Sequence, residues 1–433
     1  MNTKAFVVWL LLAAPRLLAQ QAGSRVDELV KPLVQLNTFS GVVLAARGDK
    51  IVVQKAYGMA EYEFGVPNTV DTRFAIASIT KRFTSVILQH LFDEKKLSPD
   101  DPLSKWVPDF PSASAITVRQ LMLHRSGVQD PAKLRGIIRQ NYTAAEVVEQ
   151  LKSEPLASKP GEVYSYTTAN YAILADVIER VTGKTYAAVV RKYVYDPAGM
   201  KDSGELTTTV VVPRLAHGYM PDPFGRGVAV CGPEDTSWKV GGGSSYSTAA
   251  DLHRFVRALY NGTLLPKPVA IESWPLTKMF DKQVTSLSGG FPGASANVLY
   301  FPDDEVTVVV LSNNYASVAG TLAQSVAAMM LDKPYSVPSV KLAADPFSPP
   351  DRRIEGSYRV EGRPWTFTIS IRDGRPVVSW SAIRQSAMLR MSGDTWFEPL
   401  DWATLQLKLA PDGTLAEGWF NYPGLAPLKV VRQ

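Results

Sequence analysis

Cysteine is almost missing from this chain: Cys231 stands alone among 433 residues. One cysteine cannot close an internal bridge, so no disulfide framework holds the fold. No histidine or basic residue lies next to it, which fits a buried small hydrophobe better than an activated thiol. Histidine is nearly as scarce. His90, His124, His217 and His253 are scattered, with no ligand-like spacing to each other or to the cysteine, so the sequence offers no metal site. Charge of one sign forms no run. The net +5 is dispersed, which excludes a dedicated nucleic-acid surface, while a pI near 9 suits contact with anionic cell-envelope polymers. Beyond the first twenty residues no apolar stretch is long enough to cross a bilayer.

What is present is an ordinary globular composition, 45% hydrophobic and 20% charged, enough for a core of normal size. The first residues differ from the rest. Lys4 precedes an apolar run from Ala5 to Ala14, and Leu17-Leu18-Ala19-Gln20 offers a small residue before a cut. Residues 1–20 therefore read as a secretory signal peptide, predicting a secreted or periplasmic protein. Arg16 sits unusually close to the cut, which leaves an uncleaved anchor as the alternative.

Periodicity then sets the organisation. Val26 to Leu36 has helical spacing, and Gly41 to Ala46 and Ile51 to Tyr57 read as two strands about the turn Arg47-Gly48-Asp49-Lys50. Helical patterns follow at Ser78–Leu91, Ala144–Lys152, Tyr171–Val181 and Thr248–Tyr260. Strand patterns return at Ala296–Phe301 and Val306–Leu311, before a helix from Val318 to Leu331. Residues 24–331 thus form one domain. Asp332 to Asp351 holds Pro334, Pro338, Pro346, Pro349 and Pro350 and reads as a linker. Residues 352–433 show short strands and turns at Asp373-Gly374, Ser392-Gly393-Asp394 and Asp412-Gly413, a small β-barrel or sandwich. Its tryptophans, Trp365, Trp380, Trp396, Trp402 and Trp419, fit core packing, with a ligand-binding face as the alternative.

The chemistry centres on Phe74-Ala75-Ile76-Ala77-Ser78-Ile79-Thr80-Lys81. Ser78 and Lys81 are three apart where a helix begins, so hydroxyl and amine share a face. The helix dipole favours negative charge on a serine oxygen there. A lysine withdrawn from water can lose its proton near neutral pH and take one from serine. By spacing alone an N-cap serine followed by a surface lysine is the more ordinary reading of the pair.

The surroundings decide. Thr72 to Lys81 resembles the nucleophile segment of the serine β-lactamase, DD-peptidase and esterase superfamily. Further similar segments follow in that family's order. They are Ile116 to Val128 with His124-Arg125-Ser126-Gly127, Pro160 to Tyr166, Asn170 to Gly183, Tyr195 to Met200, Gly242 to Thr248 and Ser288 to Gly293. The resemblance implies an α/β (α+β) fold, β-lactamase/transpeptidase-like. An antiparallel sheet is flanked by helices, an all-helical insertion spans residues 90 to 240, and the small C-terminal all-β domain is appended. It implies Ser78 as nucleophile, Lys81 as its proton acceptor and Tyr166 as an acid–base partner. The backbone amides of Ser78 and Gly290 would hold the oxyanion. Thr168, Leu287, Ser288 and Gly289 would meet substrate. His124 is not the general base in such proteins, and no cofactor or metal is implied.

Two departures from the family pattern stand out. Tyr166-Thr167-Thr168 replaces Tyr-x-Asn, and Leu287-Ser288-Gly289 replaces Lys-Thr-Gly or His-Ser-Gly. The stretch from Gly262 to Leu287 is also shorter than in family members, without a recognisable Tyr-Gly-Leu-Gly-Trp-like strand before the third motif. An apolar Leu287 in the site argues for neutral substrates. The expected activity is hydrolysis of an ester or amide through an acyl-serine, carboxylesterase-like rather than β-lactamase. D-amino-acid peptidase or weak β-lactamase activity comes next. A catalytically impaired relative that binds cell-envelope peptides or glycans is the non-enzymatic alternative.

Overall fold

The computed structural model describes residues 20–131, 141–207, 209–222, 227–232, 235–266, 273–316, 318–381, 384–422 and 426–433. The signal-peptide reading of residues 1–20 therefore falls almost wholly outside the described residues. A six-stranded antiparallel sheet organises the first part of the chain. Its order across is Thr277–Met279, Lys282–Phe291, Ala294–Phe301, Val306–Ser312, Gly41–Arg47 and Lys50–Tyr57. The hairpin read from the N-terminal sequence thus lies beside strands made far later, with Gly41 opposite Ser312 and Arg47 opposite Val306.

Gly41–Arg47 and Val306–Ser312 are nearly all apolar because both of their faces are covered. Alternate side chains serve two cores. Val42, Leu44, Val309 and Leu311 join the helices Thr80–Asp93, Ala169–Thr182 and Ala249–Tyr260 on one face. Val43, Ala45, Val308 and Val310 meet the helix through residues 20–35 and the helix Val318–Met330 on the other.

The segment between residues 90 and 240 is not all-helical. It carries Gly204–Glu205, which joins Phe74–Ala75 and Ser245–Ser247 in a three-stranded sheet, and the hairpin Tyr219–Pro221 with Val228–Val230. These strands are only two or three residues long, too short to leave a period in the sequence. Cys231 is half-buried rather than buried, with its N–H donating to the Gly218 carbonyl.

The C-terminal domain is all-β and barrel-like, with nine antiparallel strands in one continuous order. Trp396 packs inside with Tyr358, Phe367 and Phe420, while Trp365 and Trp380 lie at the edge of that core. Trp402 does something else. It packs against the cluster under the helix Val318–Met330, fastening the barrel to the main domain. The proline-rich stretch before it has no helix or strand from 333 to 351 and bonds to the barrel, Ala343 N–H donating to the Arg390 carbonyl at 3.0 Å.

Candidate active site

The chain reaches Ser78 through an unusual turn. Phe74–Ala75 pairs with Ser245–Ser247, and Ile76 N–H donates to the Ser245 carbonyl. Ala77 then takes φ +47°, a left-handed conformation that costs a non-glycine residue about 1–2 kcal/mol. Its neighbours hold it there: Thr80 Oγ1 donates to the Ala77 carbonyl at 2.8 Å and accepts from Ser245 N–H at 3.1 Å. Ser78 sits on the single 3₁₀ turn Ala77–Ile79, and the α-helix begins only at Thr80. The expected α-helical start is thus one tight turn late, and that turn aims Ser78 outward.

Lys81 and Tyr166 both reach Ser78. Lys81 Nζ lies 3.2 Å from Ser78 Oγ and donates to the Gly242 carbonyl at 2.6 Å. Tyr166 OH donates to Ser78 Oγ at 2.7 Å. Lys81 is buried, 4% exposed, and desolvation lowers its ammonium to about 7. Asp130 opposes that shift, while the like charges of Lys239 and Arg82 add to it. The Tyr166 ring is half exposed, yet burial of its hydroxyl end keeps the phenol protonated by raising its pKa.

A scaffold behind Tyr166 escaped the sequence reading. His124 is buried, its ring 4.5 Å from that of Tyr166 and 5.4 Å from that of Tyr171. Its Nδ1 accepts from Thr167 N–H at 3.4 Å, and burial drives its pKa down to about 4. His124 is therefore a neutral packing partner of Tyr166, in keeping with its exclusion as a base. Asp130 accepts the backbone N–H groups of Thr168 at 2.7 Å and Ala169 at 3.1 Å, and also the Thr167 hydroxyl. It thereby caps the helix Ala169–Thr182, whose start positions Tyr166. Asp130→Asn removes the nearby charge that favours the Lys81 ammonium. The acidic limb of a kcat/KM–pH profile, near pH 7 in the wild type, should then move to lower pH; the two profiles test this.

The third-motif strand is Lys282–Phe291. The short strand Thr277–Met279 pairs only with its first residues, Lys282 to Val284. Past these, the strand lies against the nucleophile turn. Gly289 comes so close that a Cβ on it would fall 2.2 Å from the Ile76 carbonyl oxygen and 2.8 Å from Ser78 N. Ser288, Gly289 and Gly290 line the cleft with Ser78, Lys81 and Tyr166.

Two expected substrate contacts are corrected. Leu287 does not line the cleft; it is 1% exposed and sits in the main core opposite Val298. Strand alternation turns it inward and its neighbour Ser288 outward. Thr168 is also off the cleft: it stands at the N-cap position of its helix without a side-chain cap bond, and its Cγ2 lies beside Gly242. The metal reading also needs amendment. Glu61, Glu63 and His217 approach one another at the surface, although His217 Nδ1 is 3.7 Å from Glu61 and Glu63 is engaged by the Tyr219 hydroxyl.

The cleft measures about 610 Å³, within the range of small-molecule sites. Its wall is not confined to the main domain. Arg384, Leu400 and Tyr422 of the barrel face the same space as Ser78.

A family model described as Beta-lactamase matches residues 26–327. The chain is 28% identical over 357 residues to penicillin-binding protein 4* of Bacillus subtilis, covering 74% of this chain and 78% of that protein. It is 27% identical over 291 residues to the teichoic acid D-alanine hydrolase of Staphylococcus aureus, covering 64% and 72% respectively. Among solved structures it is similar to the D-amino acid amidase of Ochrobactrum anthropi SV3. That likeness has a TM-score of 0.64 and 22% identity over 72% of this chain and 99% of the other.

Proposed function

Since the chain belongs to the Beta-lactamase family, we propose that it hydrolyses an ester or amide bond through an acyl-enzyme on Ser78. One observation carries this reading: Ser78 Oγ stands between a buried amine at 3.2 Å and a protonated phenol at 2.7 Å. Above about pH 7 Lys81 is neutral. One of its N–H bonds stays on the Gly242 carbonyl while its lone pair accepts the Ser78 proton.

Ser78 Oγ then attacks the substrate carbonyl carbon, and the carbonyl π electrons move onto oxygen. The N–H groups of Ser78 and Gly290, two residues that line the cleft, would take up the charge on that oxygen. Collapse breaks the bond to the leaving group, which takes the Tyr166 proton; Lys81 returns its proton to Tyr166. Water attacks the acyl-serine by the reverse relay and restores Ser78.

The preference for neutral carboxylic esters rested on an apolar Leu287 in the site, and Leu287 lies in the core. Substrate choice therefore follows the relatives. Their names point to D-aminoacyl esters and amides as the first compounds to try. An exported location, with the cell envelope as the setting, rests on residues 1–20 and belongs to the same proposal.

A fluorophosphonate probe is expected to label the native protein and not Ser78→Ala. Equal labelling of both, or of neither, would sink the acyl-serine reading, and labelling of neither would favour a non-catalytic binder. Turnover of a D-alanyl amide, a p-nitrophenyl ester and nitrocefin then ranks the substrate classes.

A further inference from the structure

Among the described residues that line the cleft, the charged side chains are Lys81, Arg82 and Arg384, and none is a carboxylate. Lys81 belongs to the nucleophile. Arg82 is tied back, its Nη1 donating to the Ser273 carbonyl at 3.2 Å and its guanidinium 4.6 Å from the Trp274 ring centre. Arg384 is different. It opens the strand Arg384–Ala387 of the barrel, yet it faces Ser78 across the cleft.

Arg384 is held from behind. Its Nη2 donates to Asp401, whose side chain is 4% exposed, while the Arg384 side chain keeps 35% of its surface exposed. Asp401 is fixed in turn, since buried Glu398 accepts the N–H groups of Leu400 at 3.0 Å and Asp401 at 2.7 Å. Tyr315 and Tyr422 line the same cleft as Arg384. The Tyr315 ring lies 3.7 Å from where a Gly290 Cβ would be. Gly290 and Tyr315 of the main domain thus border the same cleft as a guanidinium of the other domain. A planar fork oriented by a buried carboxylate on one side is suited to grip a second carboxylate on the other. The strand beside the nucleophile supplies no such cation, because position 287 is a core leucine.

We propose that Arg384 is a specificity-determining residue that binds a carboxylate carried by the acyl donor, so that the C-terminal barrel completes the substrate site. This deepens the acyl-Ser78 reading and rests on it.

The test uses the full chain and two matched pairs of thioesters. Benzoylglycyl thioglycolate and its methyl ester differ by a carboxylate in the leaving group. The S-ethyl thioester of N-succinylglycine, with its succinyl carboxylate free or methylated, differs on the acyl side. The readout is the ratio of kcat/KM, anionic over methylated. Arg384→Gln should lower that ratio roughly 10- to 100-fold in at least one pair, mainly through KM, and Arg384→Lys should restore part of it.

Losing the cation leaves Asp401 buried and uncompensated, so Arg384→Gln/Asp401→Asn is measured beside it and should show the same fall. Ratios within about twofold of wild type in both pairs and both variants would overturn the proposal. Absent thioester turnover together with absent Ser78 labelling in the wild type would instead remove the acyl-serine reading, and this inference with it.

Discussion

Replacing Lys81 by methionine should lower kcat/KM roughly 10²- to 10⁴-fold while making the protein more stable in mild acid. The two effects share one cause. Burial brings the Lys81 ammonium to about 7, against about 10.4 in an unfolded chain. Between those values the unfolded chain holds a proton that the folded protein has released, so the lysine's contribution to stability improves as pH rises from 7 to 10. Below pH 7 both states are protonated and the full penalty stands, on the order of 3–5 kcal/mol. Methionine fills the same space without charge. Its cost is an unpaired Gly242 carbonyl, worth about 1–3 kcal/mol. The Tm gain of Lys81→Met over wild type should accordingly be largest near pH 6 and shrink by pH 10. A gain that grew with pH would contradict the assignment.

Gly289→Ala should be almost as damaging from the opposite wall. The added methyl would collide with the Ile76 carbonyl at 2.2 Å and press on Ser78 N at 2.8 Å. Both are backbone atoms in the turn that holds Ala77 left-handed, so no flexible side chain can yield. Either the strand or the turn must move, and the two oxyanion amides separate. A loss of roughly 10²- to 10³-fold in kcat is expected, with a destabilisation of about 1–3 kcal/mol. Gly290→Ala is the comparison for stability. Its nearest neighbours are 3.5 Å from the added carbon, ordinary contact, so its Tm should stay close to wild type while that of Gly289→Ala drops. Equal melting temperatures for the two would refute the collision.

Much of this was legible in the sequence, for identifiable reasons. The strands Gly41–Arg47 and Val306–Ser312 are apolar runs, and the helix Ala249–Tyr260 carries apolar residues at helical spacing, so the hydrophobic pattern marked them. Ser78, Lys81 and Tyr166 were found through spacing and resemblance, and the structure brings all three together. The direction of Leu287 was not legible. A strand's alternation says which residues share a face, but not which face meets the site. Ala77 left no signal because alanine is rarely left-handed. Arg384 left none either. An isolated arginine on a short strand looks like solvent-facing charge until the barrel is docked by Trp402.

The pairing of Gly41–Arg47 with Val306–Ser312 also dictates a timetable. On the ribosome the earlier strand emerges roughly 270 residues before its partner is complete, an interval of tens of seconds at about 5–20 residues per second. Throughout that wait an apolar strand presents one open edge, the state most prone to capture by a chaperone or by another chain. A nascent polypeptide halted ahead of residue 282 already owns its serine, lysine and tyrosine. It has no opposing wall, and so no place for a negative oxygen to rest.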